Sequence, residues 1–208
     1  MACEFISVHP DNPQVRLIKK IADILRNGGV AVIPTDSAYA LCCMLEEKNA
    51  MERIARIRQI SKHHNFTLLC RDLSELSTYA RFDNTVFRLL KNNTPGAYTF
   101  ILPATKEVPR RMMNEKRRTI GLRVPQNAIL DALISELNEC LMSCTLILPG
   151  EEEPENDPVE INNKIGKLVD VIVDGGVLNS APTTVIRFED DMPVIRRVGA
   201  GDPAPFES

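Results

Sequence analysis

Hydroxyl and guanidinium side chains recur in this sequence at the ends of predicted strands and in the turns beside them. The first group is Thr35-Asp36-Ser37, which follows the apolar run Val30–Ile33. A rigid sheet can direct such side chains at one ligand. Because arginines and hydroxyls hold phosphates and carboxylates, the pattern predicts binding of an anionic ligand rather than attack by an enzyme nucleophile. The other members of the pattern are Thr94, Thr99, Arg123, Ser143, Thr145, Thr183, Thr184 and Arg197.

Each of these residues also has a purely structural interpretation, since polar residues at strand ends are frequently turn formers or caps. The common catalytic motifs are absent. The chain has no P-loop, no Gly-x-Gly-x-x-Gly after a strand, no Gly-x-Ser-x-Gly and no His-Glu-x-x-His. We therefore predict positioning chemistry, with no covalent catalytic residue and no protein-bound metal.

The six cysteines stand at positions 3, 42, 43, 70, 140 and 144 and form no Cys-x-x-Cys pair. This distribution indicates free thiols in a reducing compartment, several of them buried. The three histidines show no zinc-ligand spacing with these cysteines. A thiol-based regulator that uses Cys140 and Cys144 is a weaker alternative, because the segment between them is predicted as a strand, in which they do not share a helical face.

A basic segment lies between Lys106 and Arg123, in a protein whose formal net charge is −3. Its seven cations are opposed only by Glu107 and Glu115. Clustered arginine and lysine side chains suit phosphate groups, either of RNA or of a nucleotide. The alternative is a solvated loop that faces the acidic stretch at 151–153. The RNA-binding candidates are Arg110, Arg111, Lys116, Arg117 and Arg118.

Helical and extended patterns alternate along the chain, which predicts a mixed α/β sheet with helices packed on it. Apolar periodicity predicts helices over about 13–27, 50–59, 73–80, 85–92, 128–137 and 159–168. Short apolar runs predict strands over 5–8, 30–33, 67–70, 98–102, 119–124, 140–148, 169–173, 184–188 and 194–197. The wholly apolar run at 30–33 is typical of a strand buried on both faces.

Length and composition limit the classes of protein. The 208 residues predict one domain over 1–208, and 44% hydrophobic with 25% charged residues is typical of a soluble protein. No apolar run approaches the roughly 20 residues of a membrane span, and the N-terminus lacks a secretory pattern, so we expect a cytoplasmic protein. The negative net charge and 5% aromatic content disfavour a protein that coats nucleic acid by bulk charge or stacks many bases.

Five segments, in order, resemble the motifs of the YrdC/YciO family, which contains the threonylcarbamoyl-AMP synthases of tRNA modification. PTDSAYAL at 34–41 resembles the family's PT-E/D-T-x-Y-G-L segment, and TPGAYTFILPA at 94–104 resembles PGP-x-T-x-IL. TIGLRVP at 119–125 resembles the family's T-x-x-x-R-x-P segment. VDGGVLNSAPTTVIRF at 173–188 resembles its DGG…ST-V-V-D segment, and IRRVGAG at 195–201 resembles LR-x-G. HPDNPQ, RIRQ, KNNTPG and HNFTLLCRDLSELSTY are most similar to the YciO branch.

The resemblance implies a twisted open mixed sheet with flanking helices around a concave, positively charged cavity. The synthases combine ATP, L-threonine and bicarbonate into threonylcarbamoyl-AMP and pyrophosphate, with Mg²⁺ accompanying the nucleotide. Members of the family also bind RNA, so the resemblance implies tRNA or double-stranded RNA as a partner. Such a reaction requires orientation and charge neutralisation.

Site residues follow from the resemblance position by position. Thr35 and Arg123 match positions that hold threonine, Thr184 matches the threonine of a Ser-Thr pair, and Thr183 replaces its serine. Ser143 is a further substrate-binding candidate. Thr99 and Arg197 match positions that contact ATP, and Thr145 lies where the serine of a Ser-x-Asn motif belongs. Arg56 and Arg58 complete the nucleotide-binding candidates.

The sequence also departs from the family pattern. Arg58 aligns with the lysine of a Lys-x-Arg motif and Ile60 with its arginine; Ile147 replaces the asparagine of Ser-x-Asn, and Leu69 replaces a histidine. Losing an arginine removes a bidentate phosphate contact that isoleucine cannot supply. Two hypotheses follow. The chain is a synthase-like enzyme that binds ATP and L-threonine, or it is an RNA- and nucleotide-binding relative that lacks synthase activity or acts on a related adduct.

Overall fold

A computed structural model describes residues 2–61, 64, 66–178 and 181–207. These residues form one mixed sheet of ten strands in the order β1-β8-β2-β3-β7-β4-β6-β5-β9-β10. The strands are β1 Glu4–Ser7, β2 Ala31–Ile33, β3 Ala40–Met44, β4 Thr67–Leu69, β5 Tyr98–Pro103, β6 Thr119–Arg123, β7 Leu141–Thr145, β8 Val171–Asp174, β9 Thr184–Glu189 and β10 Met192–Arg197.

Within the described residues, six α-helices and three 3₁₀ turns connect these strands. The helices are α1 Val15–Arg26, α2 Lys48–Arg58, α3 Leu73–Tyr79, α4 Asn84–Asn92, α5 Ala128–Leu137 and α6 Pro158–Ile165. The 3₁₀ turns are Arg110–Met112, Gly166–Leu168 and Ala204–Phe206. The predicted α/β class with a mixed sheet and flanking helices is thus confirmed, whereas the concave positive cavity stays a prediction.

Side-chain caps explain where four of the helices begin. An aspartate or asparagine oxygen accepts a hydrogen bond from a backbone N–H in the first turn, which satisfies a donor that the helix itself cannot pair. The capping residues are Asp72 of α3, Asp83 of α4, Asn127 of α5 and Asp157 of α6. In α6, Pro158 occupies the first helical position, where its missing N–H costs nothing.

The first helix begins later than predicted. Its N-terminal residue is Val15, because the preceding residues form a separate turn in which the His9 ring nitrogen accepts hydrogen bonds from the backbone N–H groups of Asp11 and Asn12. Pro13 therefore precedes the helix rather than opening it. Gly28, at a φ of +84°, ends the helix in the left-handed region that favours glycine.

Two apolar layers hold the sheet, one on each face. On the first face, α1 and α5 pack over β1, β8, β2 and β3, using residues such as Ile21 and Leu133 against Ile33 and Val171. On the second face, α2, α3, α4 and α6 bury side chains such as Ile54 and Leu90. β2 is buried on both faces, as its apolar sequence predicts.

The strand β3 was not predicted. All five of its residues are buried, and it pairs with β2 on one side and β7 on the other. A short run of buried apolar residues has no periodicity that separates a strand from a buried turn. The predicted strand at 140–148 is shorter than expected, since β7 ends at Thr145.

Candidate functional site

The register of the central strands places the predicted polar residues on the first face, beyond the part covered by α1 and α5. Cys42 of β3 lies opposite Ser143 of β7, Ser143 opposite Thr67 of β4, and Thr67 opposite Gly121 of β6. Side chains of directly paired residues share a face of the sheet. We call this surface the polar face and define it by Thr67, Thr99, Gly121, Arg123, Ser143, Thr145 and Arg197.

Gly121 leaves no side chain between Thr67 and Thr99 on the polar face. A Cβ atom at this position would lie 3.1 Å from Oγ1 of Thr67 and 3.4 Å from Cγ2 of Thr99, which is close contact on both sides. Ser143 is buried and its hydroxyl donates to the carbonyl oxygen of Thr67 at 3.1 Å. Thr145, at the end of β7, is partly exposed and lies opposite Ala40.

The turn after β2 is joined to β6 by an ion pair. Nη2 of Arg123 lies 2.5 Å from Oδ1 of Asp36, and the second carboxylate oxygen accepts the backbone N–H of Gln126 at 2.8 Å. The side chains of Arg123 and Asp36 are only 6% and 11% exposed. Buried charges require partners, because desolvation disfavours them. The pair therefore fixes the turn at 35–38 against the C-terminal end of β6.

Arg123 retains unused hydrogen-bonding capacity. Its Nε atom is buried and has no hydrogen-bond partner among the described residues. Burial lowers the pKa of the guanidinium, while the charge and hydrogen bond of Asp36 oppose that shift. Because the ordinary arginine pKa is far above neutrality, the group stays charged. The charge of Arg123 attracts anions, such as a carboxylate or a phosphate, to this end of β6.

Thr35 forms its hydrogen bonds within the same turn. Its hydroxyl donates to the carbonyl oxygen of Ala38 at 2.6 Å and accepts the backbone N–H of Ser37 at 3.0 Å. Its oxygen also lies 3.1 Å from the Ser37 hydroxyl. The contacts describe a turn-forming residue next to Asp36, and the predicted role of Thr35 in substrate binding stays a prediction.

A second cluster joins β5, β9 and β10. The hydroxyl oxygens of Thr99 and Thr183 lie 2.7 Å apart. Arg197 donates from Nε to the carbonyl oxygen of Thr183 at 3.0 Å and from Nη2 to its hydroxyl at 3.3 Å. Partial burial lowers the pKa of Arg197. Thr99 and Arg197 are both opposite Val185 in the register, so the structure brings this predicted trio together.

Thr184 points away from that cluster. It is fully buried, donates to the carbonyl oxygen of Gly201 at 2.5 Å and accepts the backbone N–H of Gly199 at 2.9 Å. These bonds attach the C-terminal segment to β9. Adjacent residues of a strand face opposite sides of a sheet, which explains why Thr183 and Thr184 have different neighbours.

The two arginines predicted on α2 are placed differently. Arg58 donates from Nε to the carbonyl oxygen of Ile147 at 2.8 Å and from Nη1 to the sulfur of Cys144 at 3.0 Å. Its guanidinium therefore lies beside the chain that follows β7, where Ile147 is two residues beyond Thr145. Arg56 is exposed and has no side-chain hydrogen bond or ion pair among the described residues. Nucleotide binding by either residue stays a prediction.

The basic segment forms part of a groove. A cavity of about 710 Å³ lies between the segment and the chain that follows α3. The predicted RNA-binding residues Arg110, Arg111, Arg117 and Arg118 line it, whereas Lys116 is exposed outside the lining. We call the cavity the basic groove; its charged lining residues are Arg81, Lys106, Arg110, Arg111, Arg117, Arg118 and Glu115.

Sequence reasoning missed two residues that shape the site. Asp36 was noted only as part of a turn, although it is the partner of Arg123. Tyr39 received no role, yet its hydroxyl accepts the backbone N–H of Gly175 at 3.1 Å and donates to the carbonyl oxygen of Gly176 at 2.6 Å. Burial raises the pKa of Tyr39 to about 12, so the hydroxyl stays protonated as a donor. The sequence shows that Tyr39 lies four positions after Thr35, but it does not show that the hydroxyl of Tyr39 contacts Gly175 and Gly176.

The thiols agree with the sequence interpretation. Cys3 is partly buried, and the other five cysteines are buried and free. Among the described residues, no group of three or more histidine, cysteine, aspartate or glutamate side chains is arranged to hold a metal ion. No helix in the described part of the chain is long and apolar enough to cross a membrane.

Comparison with known proteins identifies the family. A family model named for Sua5, YciO and YrdC, and described as telomere recombination, matches residues 23–199. The chain belongs to the Sua5/YciO/YrdC family. It is 60% identical to YciO of Escherichia coli strain K12 over 203 residues, which cover 98% of each chain. The expected family resemblance is thus confirmed.

Solved structures support the same assignment. The crystal structure of E. coli YciO matches with a TM-score of 0.95 over 99% of this chain and all of that chain. The structure of P. abyssi Sua5 complexed with L-threonine matches with a TM-score of 0.85, 22% identity, and coverage of 94% of this chain and 57% of that chain. At that identity the likeness shows the fold alone.

A more distant family member carries a named activity. The threonylcarbamoyl-AMP synthase of Vibrio vulnificus strain YJ016 is 24% identical over 163 residues, which cover 77% of this chain and 87% of that one. The family therefore includes threonylcarbamoyl-AMP synthases.

Proposed function

We propose that residues 1–208 act as one unit that binds ATP and L-threonine on the polar face and forms threonylcarbamoyl-AMP for tRNA modification. The observation that carries the proposal is the convergence of Arg123, Thr99, Thr183 and Arg197 on one face of the sheet, with Asp36 holding Arg123 in place. These residues come from three separate strands, β5, β6 and β10, and from two loops. Their shared chemistry is recognition of carboxylate and phosphate groups.

The reaction places definite demands on such a site. Threonine and bicarbonate lose water to give a carbamate; an oxygen of that carbamate attacks the α-phosphorus of ATP, and pyrophosphate leaves. The threonine carboxylate and the triphosphate are anionic throughout, and Mg²⁺ bound to the nucleotide phosphates would neutralise part of their charge. The protein's contribution is to hold two anions in line and compensate the charge that develops.

Arg123 and Arg197 divide this task in our proposal. Arg123 carries a positive charge on the polar face and is held there by Asp36, so we assign it to the charge of the substrate carboxylate. Arg197 is exposed and connected to Thr99 through Thr183, so we assign it to the nucleotide phosphates. Ser143 and Thr145 lie on the adjoining part of the polar face and would border both ligands.

The departures at the end of α2 support a second candidate function. Arg58 already donates to Ile147 and Cys144, and Ile60 and Ile147 stand where the synthases have polar residues. A chain with this site could bind nucleotide, or RNA, without completing the synthesis. The second candidate is therefore a nucleotide- and RNA-binding member of the family that lacks the synthase step or acts on a related adduct.

One incubation separates the two candidates. The protein is mixed with ATP, Mg²⁺, L-threonine and labelled bicarbonate, and threonine-dependent pyrophosphate and a labelled threonylcarbamoyl adduct are measured. A synthase gives both products. Arg197→Ala should reduce their formation by at least about tenfold, since a charged hydrogen bond contributes about 1.5–3 kcal/mol. Arg196→Ala is the matched control, because Arg196 is the exposed neighbouring arginine with no side-chain partner among the described residues.

The possible results have distinct meanings. Loss of product formation with Arg197→Ala and not with Arg196→Ala supports the synthase. Nucleotide binding without either product, measured by titration calorimetry on the same samples, favours the second candidate. Absence of both turnover and nucleotide binding overturns the assignment of the polar face.

A further inference from the structure

The basic groove lies at the other end of the strands that carry the polar face. β5 and β6 are antiparallel, and Pro103 pairs with Thr119 where the groove begins. Thr99 is four residues before Pro103, a separation of about 13 Å along a strand. The groove is thus separate from the cluster of Thr99, Thr183 and Arg197, and the proposed nucleotide site does not use it.

The cations of the groove are not neutralised by the protein. Six lysine and arginine residues line it, with Glu115 as the single carboxylate. None of the six forms an ion pair within residues 2–61, 64, 66–178 and 181–207. Like charges held around one cavity repel each other. A protein with a formal net charge of −3 has enough carboxylates to pair them, so the unpaired cluster points to an external anion.

The backbone that presents these cations is fixed. Val108 and Met112 are buried in the second apolar layer and anchor the segment that carries Lys106, Arg110 and Arg111. Nη2 of Arg111 donates to the carbonyl oxygen of Leu45 at 2.7 Å, which attaches the segment to the chain after β3. The backbone of the groove is therefore already formed, and binding there would need little ordering of the main chain.

The turn that carries the remaining arginines is equally constrained. The side-chain oxygen of Asn114 accepts the backbone N–H groups of Lys116 and Arg117 at 3.1 and 3.0 Å. The carbonyl oxygen of Arg118 accepts the N–H of Ala104 at 2.9 Å, and Ala104 is bridged to Ala80 beside Arg81. Hydrogen bonds thus connect the three chain segments around the cavity.

We propose that the basic groove binds a small molecule with two or more adjacent phosphates. The cations come from several segments and surround one concavity, and they do not form a strip along the surface. A compact polyphosphate places several charges inside such a concavity at once, whereas duplex RNA presents its phosphates spaced along a helix. The volume of about 710 Å³ is within the range of small-ligand sites.

The test uses the full chain with inorganic tripolyphosphate as the probe, and binding is measured by titration calorimetry at low salt. Arg110→Ala/Arg117→Ala should weaken tripolyphosphate binding at least about tenfold, because two charged contacts are lost. Arg81→Ala/Lys106→Ala, which removes two other cations of the lining, should do the same. Arg118 is left unchanged, because its φ of +52° makes its backbone sensitive to substitution.

Two controls identify the site. Arg16→Ala/Lys19→Ala removes the same charge from the exposed side of α1 and should leave binding within about twofold, as screened distant charges contribute little. Because the proposed nucleotide site would also hold a triphosphate, the groove variants are repeated in the Arg197→Ala background, where the same weakening is expected if the groove binds the probe. Each variant is first checked by circular dichroism and thermal unfolding.

The remaining outcomes overturn the proposal. Equal weakening by the groove variants and the α1 control would reduce the effect to net charge. Loss of binding with Arg197→Ala alone would locate the probe on the polar face. A 20-base-pair RNA duplex that binds through Arg110 and Arg117, while tripolyphosphate does not bind, would assign the groove to RNA. No binding of tripolyphosphate to the unmodified chain, or binding no tighter than inorganic phosphate, would also refute it.

Discussion

Removing the carboxylate of Asp36 should be one of the most destabilising single substitutions in this protein. In the folded chain the carboxylate lies 2.5 Å from Nη2 of Arg123 and also accepts the backbone N–H of Gln126. In Asp36→Ala, Arg123 remains buried and its Nη2 loses the carboxylate that accepts its hydrogen bond. Its Nε already has no partner among the described residues. The guanidinium must then stay charged and desolvated, or the site must open to water.

The expected cost follows from burial. Removing one partner of a buried ion pair costs about 3–5 kcal/mol, because the other charge is left uncompensated. Replacing both partners costs less than replacing the carboxylate alone, so Asp36→Ala/Arg123→Met should be more stable than Asp36→Ala. The matched control is Asp23→Ala. Asp23 pairs with Arg26 at 3.3 Å, but their side chains are 70% and 43% exposed, so its loss should cost less than about 1 kcal/mol.

The assay is urea unfolding at pH 7 followed by far-ultraviolet circular dichroism, since the chain has no tryptophan for fluorescence. The free energy of unfolding in water is obtained from each curve by linear extrapolation. If Asp36→Ala and Asp23→Ala cost the same, or if the double variant is less stable than Asp36→Ala, the ion pair does not hold the turn after β2. The assignment of Arg123 as a fixed anion-binding group would then lose its structural basis.

Two further predictions concern titration and thiol reactivity. Burial would raise the pKa of Asp170, but hydrogen bonds from Arg53 and from the Val30 N–H, with the Arg53 charge, outweigh it and lower the pKa. The stability that Asp170 contributes is therefore present above the unfolded pKa of about 4 and is lost as pH falls through the lower folded pKa. Asp170→Asn should lose less unfolding free energy than the unmodified protein between about pH 5 and 2, as measured by urea unfolding at each pH. An unchanged pH dependence would contradict this. Burial raises the pKa of Cys43 and Cys140 to about 12 and that of Cys42 and Cys70 well above the ordinary value. The pKa of Cys3 is also raised, but Cys3 is only partly buried, so a disulfide-exchange reagent at pH 7.5 should modify it before unfolding and the others only after unfolding. Rapid native-state modification of Cys140 or Cys144 would instead revive the thiol-regulator alternative.

Local sequence signals were sufficient for most of the elements. Apolar periodicity located all six helices of the described residues to within a few residues. These signals act between near neighbours in the chain, so they can be recognised without the fold. The prediction missed β3 because its five buried residues carry no alternation and, unlike the run at 30–33, have no glycine or proline at either end. Pairing with β2 and β7 makes them a strand.

The sequence by itself determined the family, the α/β class and the residue types of the candidate site. It did not determine which of them share a surface. Thr99 and Thr183 are 84 positions apart and Asp36 and Arg123 are 87 apart, yet each pair is in hydrogen-bond contact. Strand order decided these contacts, since a mixed sheet with crossovers places distant segments side by side. Tertiary structure likewise separated Thr183 from Thr184 and turned a basic segment into a groove, because the direction of a side chain depends on the strand, turn or core contact that holds its backbone.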